Sequence, residues 1–180
     1  MKKPLVSLSL ASAFALSLTA CGGQATQSTS TNSDLPGSAR DGSEIAIEQT
    51  AMRFKDAVDE GQYKLINTED FKKKVDAKED MIVIDTMPAS SWEKNRVPGA
   101  LNAELPVKME DVTPEQREAF LKALGEDKNK EIIIYCGFVK CERSHVGAII
   151  AHEEGFTNVV RHPGGIGAWL EAGYDVESGK

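Results

Sequence analysis

From Gln62 onward, short β-prone apolar runs alternate with helical segments, and this alternation limits the possible folds more than any other feature. Tyr63-Lys64-Leu65-Ile66, Met81-Ile82-Val83-Ile84, Ala100-Leu101-Asn102, Ile132-Ile133-Ile134-Tyr135 and Asn158-Val159-Val160 read as strands. The first helix between them starts at a cap on Asn67 or Thr68 and runs to Val75. A second has Thr113 as cap, Pro114 in its first turn, and ends at Leu124 before Gly125. A third covers Ser144 to Glu154 before Gly155, and a last one covers Gly167 to Ala172 before Gly173. Capping residues at the starts and glycine at the stops are what helix termini require. Continuously apolar strands need cover on both faces, and intervening helices let neighbouring strands run parallel. The expected fold is therefore α/β, a parallel sheet with helices on both faces. Ligands in such sheets bind beyond the carboxyl ends of the strands. Asp85 and Cys136 both follow strand ends, so one rim should hold both.

Cys136 opens the loop Gly137-Phe138-Val139-Lys140-Cys141-Glu142, and Arg143-Ser144 leads into the third helix. A loop at a helix N-terminus gathers backbone N–H groups and the positive end of the helix dipole, which favours an anion. A cysteine there is expected to ionise below its free value of ~8.5 and to act as a nucleophile. Lys140 and Arg143 are candidate contacts for an anionic substrate, and Gly137 serves backbone geometry. The expected substrate-binding segment is Gly137, Phe138, Val139, Lys140, Cys141, Arg143 and Ser144. Cys141 is either a resolving thiol for Cys136 or an ordinary loop residue. Asp85 reads as structural, accepting from loop N–H groups. Arg96 could reach the rim or be a surface arginine. His145, His152 and His162 read as helix or turn residues, and only His145 is near enough to Cys136 to be weighed as a base. Trp92 and Trp169 are expected core anchors.

The N-terminal part differs in character. Lys2 and Lys3 precede an apolar run from Leu5 to Leu18, which ends in Thr19-Ala20-Cys21. That is the layout of a secretory signal, and the run is too short to span a bilayer. Leu18-Thr19-Ala20-Cys21-Gly22 also resembles the lipobox of bacterial lipoproteins, which implies cleavage before Cys21 and acylation of it. Gly22, where aspartate is absent, implies sorting to an outer membrane if the host has one. The expected division is a lipoprotein signal over 1–20, lipidated Cys21 with a flexible tether over 21–43, an amphipathic helix over 44–61, and a folded domain over 62–180. Gly22 to Gly42 is rich in Gly, Ser, Thr, Gln and Asn and cannot bury a core. Ile45, Ile47, Met52, Phe54, Ala57 and Val58 give the following helix an apolar stripe, expected to pack on the domain.

The formal charge is −7, and loss of Lys2 and Lys3 would make it more negative. Such acidity disfavours nucleic acid and anionic membrane surfaces as partners, so attachment would come from lipid alone. The chain has three cysteines, and a C-x4-C pair without a second pair does not suit structural zinc. No metal and no cofactor are expected. Export would make a Cys136–Cys141 disulfide conceivable.

Three segments together resemble the rhodanese family. Ile84-Asp85-Thr86 through Trp92 to Val97-Pro98-Gly99-Ala100-Leu101-Asn102 is similar to its first signature, and Tyr135-Cys136 through Arg143-Ser144 to its active-site loop. Gly164-Gly165 through Trp169 to Gly173-Tyr174-Asp175-Val176 is similar to its closing motif. The resemblance spans about Tyr63 to Val176. It implies a five-stranded parallel sheet and a cysteine, here Cys136, that becomes a persulfide. Thiosulfate or polysulfide would be the donor, and a thiol or cyanide the acceptor. Small sulfur anions and a thiol would then be the partners, and a lipid-anchored place in the cell envelope, facing the periplasm, the location.

The chain also departs from that pattern. The family's loop arginine comes two residues sooner than here, where Arg143 stands seven after Cys136. Met87 replaces an arginine, and Arg96 a histidine. A longer loop implies room for a bulkier donor such as polysulfide. Two other functions compete, a thiol–disulfide protein cycling Cys136 and Cys141, and a non-enzymatic sulfane-sulfur carrier. A cysteine phosphatase would have one residue fewer between cysteine and arginine than the six found here.

Overall fold

The computed structural model describes residues 42–179. The signal, Cys21 and nearly all of the tether expected from the sequence lie outside the described residues. Helix α1 (Glu44–Gly61) leads into strand β1 (Lys64–Leu65), helix α2 (Thr68–Asp76) and strand β2 (Met81–Asp85). Short helix α3 (Ala89–Trp92), strand β3 (Leu101–Asn102), a 3-10 turn at Met109–Asp111 and helix α4 (Pro114–Leu124) follow. Strand β4 (Glu131–Tyr135), helix α5 (Arg143–Glu153), strand β5 (Val159–His162) and helix α6 (Gly165–Glu171) complete the chain. The five strands form one sheet in the order β1-β5-β4-β2-β3, and every pairing is parallel. This is the rhodanese-like arrangement that the sequence implied.

Side-chain alternation sorts the core into two layers. Ile132 and Ile134 of β4 join Ile84, Phe120, Leu124, Val146 and Ile150 on one face. Ile133 and Tyr135 join Phe71, Val83, Val97, Val160 and Trp169 on the other. Helices α4 and α5 thus cover one side, and α2 and α6 the other. The caps behave as their residue types dictate. The Asn67 side chain accepts from the Asp70 N–H, and Thr113 forms a reciprocal capping box with Gln116.

Three elements differ from the sequence reading. Helix α3 is only four residues long and carries no periodic signal to read. Helix α6 begins at Gly165, two residues ahead of the expected Gly167. Helix α1 packs by its C-terminal half, where Ala57 and Gly61 are buried. Ile45, Ile47 and Met52 remain half or more exposed, so the N-terminal half of the stripe is left uncovered.

Candidate active site

Cys136 directly follows β4, the strand flanked by β2 and β5 in the middle of the sheet. Parallel pairing sets Asp85 level with Tyr135, and Tyr135 level with His162, so all three strand ends open onto one rim. The loop after Cys136 returns to α5 through a turn in which the Cys141 N–H donates to the Phe138 carbonyl at 2.8 Å. Helix α6 sets the orientation of the loop's first peptides. The Ile166 N–H donates to the Cys136 carbonyl and the Gly167 N–H to the Gly137 carbonyl, both at 2.9 Å. A trans peptide points its N–H opposite its carbonyl. The Gly137 N–H therefore points into the loop, where it serves Cys141.

The Cys136 sulfur is almost wholly buried, at 1% exposure. Its thiol donates to the Cys141 carbonyl at 3.1 Å, and the Ser144 Oγ lies 3.2 Å away. Burial pushes the Cys136 thiol well above its ordinary range, and contact with Cys141 adds to this. The hydroxyl and backbone N–H of Ser144 oppose these effects. Cys141 is drawn the other way, first by the hydrogen bond from Cys136, then by the Gly137 and Arg143 N–H groups and the Arg143 guanidinium. The sequence led to the expectation that the loop would favour ionised Cys136. In this resting geometry the charge-stabilising N–H groups are divided between two sulfurs, and the deeper one keeps its proton. The two free thiols titrate as a pair, with burial pushing Cys136 up and the contact with Cys136 drawing Cys141 down.

The other expected residues are placed as follows. Ser144 is buried against Cys136. Gly137 is buried, whereas Phe138, Val139 and Lys140 form the exposed tip of the loop. Arg143 turns its guanidinium to the Leu105 carbonyl, which fixes the loop to the segment after β3. Arg96 is not brought to the site. It stacks 4.1 Å over the Trp92 ring and bonds the Gly179 carbonyl and Glu177 of the C-terminal segment. His145 does not touch Cys136. It meets the Tyr63 hydroxyl at 3.2 Å and Glu60 at 3.3 Å. Trp169 is fully buried, and its indole donates to the Asp175 carbonyl. No cluster of ligating side chains suited to a metal occurs among the described residues.

Asp85 accepts from the Met87 N–H at 2.8 Å, as a structural carboxylate would, but its second oxygen is buried without a hydrogen bond. Burial raises its pKa to about 6, with the Met87 N–H and Tyr135 pulling it back only in part. A carboxyl whose folded pKa lies above its unfolded value stabilises the fold below the unfolded value, and that contribution is lost as pH rises through the folded one. Wild-type stability should therefore fall by about 2 kcal/mol between pH 4 and pH 7 from this group. Asp85→Asn should remove that slope, as followed by chemical denaturation across the range. An unchanged slope in the variant would assign the pH dependence elsewhere.

One residue of the site gave no sign in the sequence. Arg161 of β5 is fully buried, and its guanidinium donates to the Ser144 Oγ at 2.8 Å, to the Tyr63 hydroxyl at 2.9 Å and to the Cys141 carbonyl at 2.9 Å. A charged residue in a short strand reads as an edge or surface position. Its three partners stand 17, 98 and 20 residues away in the chain, beyond the reach of any local pattern.

Comparison with known proteins agrees with this arrangement. No curated protein matches the chain. Among solved structures, the BH2092 protein of Bacillus halodurans is 21% identical, with 74% of this chain and 86% of that one covered and a TM-score of 0.52. The polysulfide-sulfur transferase of Wolinella succinogenes is 18% identical over 78% of this chain and 94% of its own, with a TM-score of 0.53. Thiosulfate sulfurtransferase of Pseudomonas aeruginosa is 17% identical over 73% of this chain but only 23% of its own, with a TM-score of 0.56. These likenesses establish a shared fold. The model of the Rhodanese-like domain matches residues 67–172, which include every strand but the first and the whole cysteine loop. With the greater part of its length matched in this way, the chain belongs to the rhodanese-like domain family.

Proposed function

We propose that the protein is a sulfurtransferase in which Cys136 carries the sulfur. The Cys136 thiolate attacks the sulfane sulfur of polysulfide or thiosulfate, and a shortened polysulfide or sulfite leaves. The resulting persulfide gives its outer sulfur to a thiol or to cyanide, which regenerates the thiolate. The observation that carries this reading is a cysteine at the end of a central strand, at the N-terminus of α5, with both the hydroxyl and the N–H of Ser144 directed at its sulfur. Donors fixed in advance around a sulfur stabilise an anion there without reorganisation. The fold shared with a polysulfide-sulfur transferase and a thiosulfate sulfurtransferase supports it. The longer loop and its exposed Phe138 and Val139 favour polysulfide over thiosulfate. Thiocyanate formation with each donor tests the reading. Turnover with polysulfide exceeding that with thiosulfate is the expected result, and none with either would refute it.

A second reading rests on the contact between the two free thiols. Cys141 would resolve the Cys136 persulfide by attacking its inner sulfur, expelling hydrosulfide and closing a Cys136–Cys141 disulfide that an external dithiol reopens. Cys141→Ser separates the two. Persulfide that accumulates and persists in the variant but decays to the disulfide in the wild type supports resolution. Equal persistence in both rules it out.

The envelope location belongs to the same proposal, with lipid on Cys21 anchoring the domain towards the periplasm. Fatty-acid labelling that is lost in Cys21→Ser is expected. Fractionation that finds the protein in the inner membrane alone would refute outer-membrane sorting.

A further inference from the structure

Arg161 presents an unusual charge balance. A guanidinium stays ionised in proteins and is costly to bury without a counter-charge. Among the described residues its hydrogen-bond acceptors are all neutral, namely the Ser144 and Tyr63 hydroxyl oxygens and the Cys141 carbonyl. The Glu142 carboxylate is 3.8 Å away and 42% exposed, outside hydrogen-bond range. The rings of Phe54 and Tyr63 lie 5.3 and 5.7 Å from the cation and shield it from solvent. The fold therefore keeps a buried positive charge under the cysteine loop, whose ion-pair partner among the described residues is the partly exposed Glu142 carboxylate, beyond hydrogen-bond range.

The hydrogen-bond directions follow from which groups can only donate. Arginine has no acceptor. The Ser144 Oγ must accept from the Arg161 Nε, which leaves its own hydrogen free to point at the Cys136 sulfur, 3.2 Å away. The Tyr63 hydroxyl likewise accepts from Arg161, so its hydrogen goes to the His145 Nδ1 at 3.2 Å, and the other ring nitrogen faces Glu60. Arg161 is thus held on both sides, and one of those sides ends on the sulfur.

We propose that Arg161 is a positioning residue for the sulfur chemistry. It locks the Ser144 hydroxyl as a donor to Cys136, the sulfur that becomes thiolate or persulfide. The inference rests on the reading that Cys136 carries the sulfur and extends it to a residue outside the loop. Charge-assisted orientation of this kind is stronger than a freely rotating hydroxyl can supply. The groups facing Cys136 are Cys141 from the loop and Ser144 from α5, and Arg161 from β5 acts through both.

The test uses the full chain as wild type, Arg161→Met, Arg161→Lys, Ser144→Ala and the Arg161→Met/Ser144→Ala double variant. The pH dependence of thiolate ultraviolet absorbance is recorded for each and differenced against its Cys136→Ser counterpart. The ionisation of Cys136, the later of the pair, is expected to rise by about one pH unit in Arg161→Met and in Ser144→Ala. The double variant should go no further than either single one, because both remove the same donor. Arg161→Lys should behave like Arg161→Met, since one ammonium cannot hold three separated acceptors, and it carries the test if Arg161→Met does not fold. A folded Arg161 variant with a wild-type titration, or shifts that add in the double variant, would overturn the proposal. The titration needs no sulfur donor. Failure of the sulfur-transfer reading would show instead as a wild-type protein that takes up no sulfur while these shifts persist.

Discussion

Cys136→Ser is expected to lower sulfur transfer by at least about three orders of magnitude while leaving the protein folded. A serine hydroxyl does not ionise in the accessible pH range and cannot form a persulfide, so no part of the cycle survives. The structural cost should be small. The replacement is smaller by little more than the difference between sulfur and oxygen. Its Oγ can still donate to the Cys141 carbonyl and accept from Ser144, the two partners of the sulfur. A change in stability within about 1 kcal/mol is expected, read from thermal denaturation beside the thiocyanate assay. Activity retained at a tenth or more of wild type would place the chemistry on Cys141 instead.

Gly165→Ala should have the largest effect on the fold. Gly165 sits at φ +61, and a Cβ there would lie 2.3 Å from the Cys136 carbonyl oxygen and 2.6 Å from the Gly137 carbonyl carbon. These are backbone atoms, and the next two residues hold them by hydrogen bonds. Relief would require α6 and the cysteine loop to separate. Left-handed strain and steric overlap together should cost more than about 3 kcal/mol. The melting temperature should drop by roughly 10 °C or more. Gly173→Ala provides the comparison, with φ +71 but nothing within 4 Å of its Cβ. It should lose only about 1 kcal/mol. Equal losses at the two positions would mean that the close approach of α6 does not hold the loop.

The parallel sheet and the position of Cys136 were legible because they depend on local signals. Apolar runs such as Ile132 to Tyr135, the Thr113-Pro114 start and the glycine stops act over a few residues. Gly164-Gly165 was legible as a tight turn, but not as the point where α6 touches the loop. The reading failed where tertiary burial decides. Cys136 was expected to ionise readily from its place before a helix, yet its depth and the second thiol reverse the balance. Arg96 could have reached the rim by sequence position, but the C-terminal segment and Trp92 hold it elsewhere. Arg161 was invisible, since nothing near it in the chain announces a buried cation shared by Tyr63 just before β1, the loop and α5.

The central claim is that Cys136 takes up sulfur as a persulfide. Its most direct test is intact-protein mass spectrometry of the reduced protein after incubation with polysulfide, with the added mass mapped to a peptide. The account predicts a gain of one sulfur on Cys136, present in Cys141→Ser, absent in Cys136→Ser, and discharged by cyanide. A protein that gains no sulfur and only loses two hydrogens would contradict it, and would make the loop a thiol–disulfide couple.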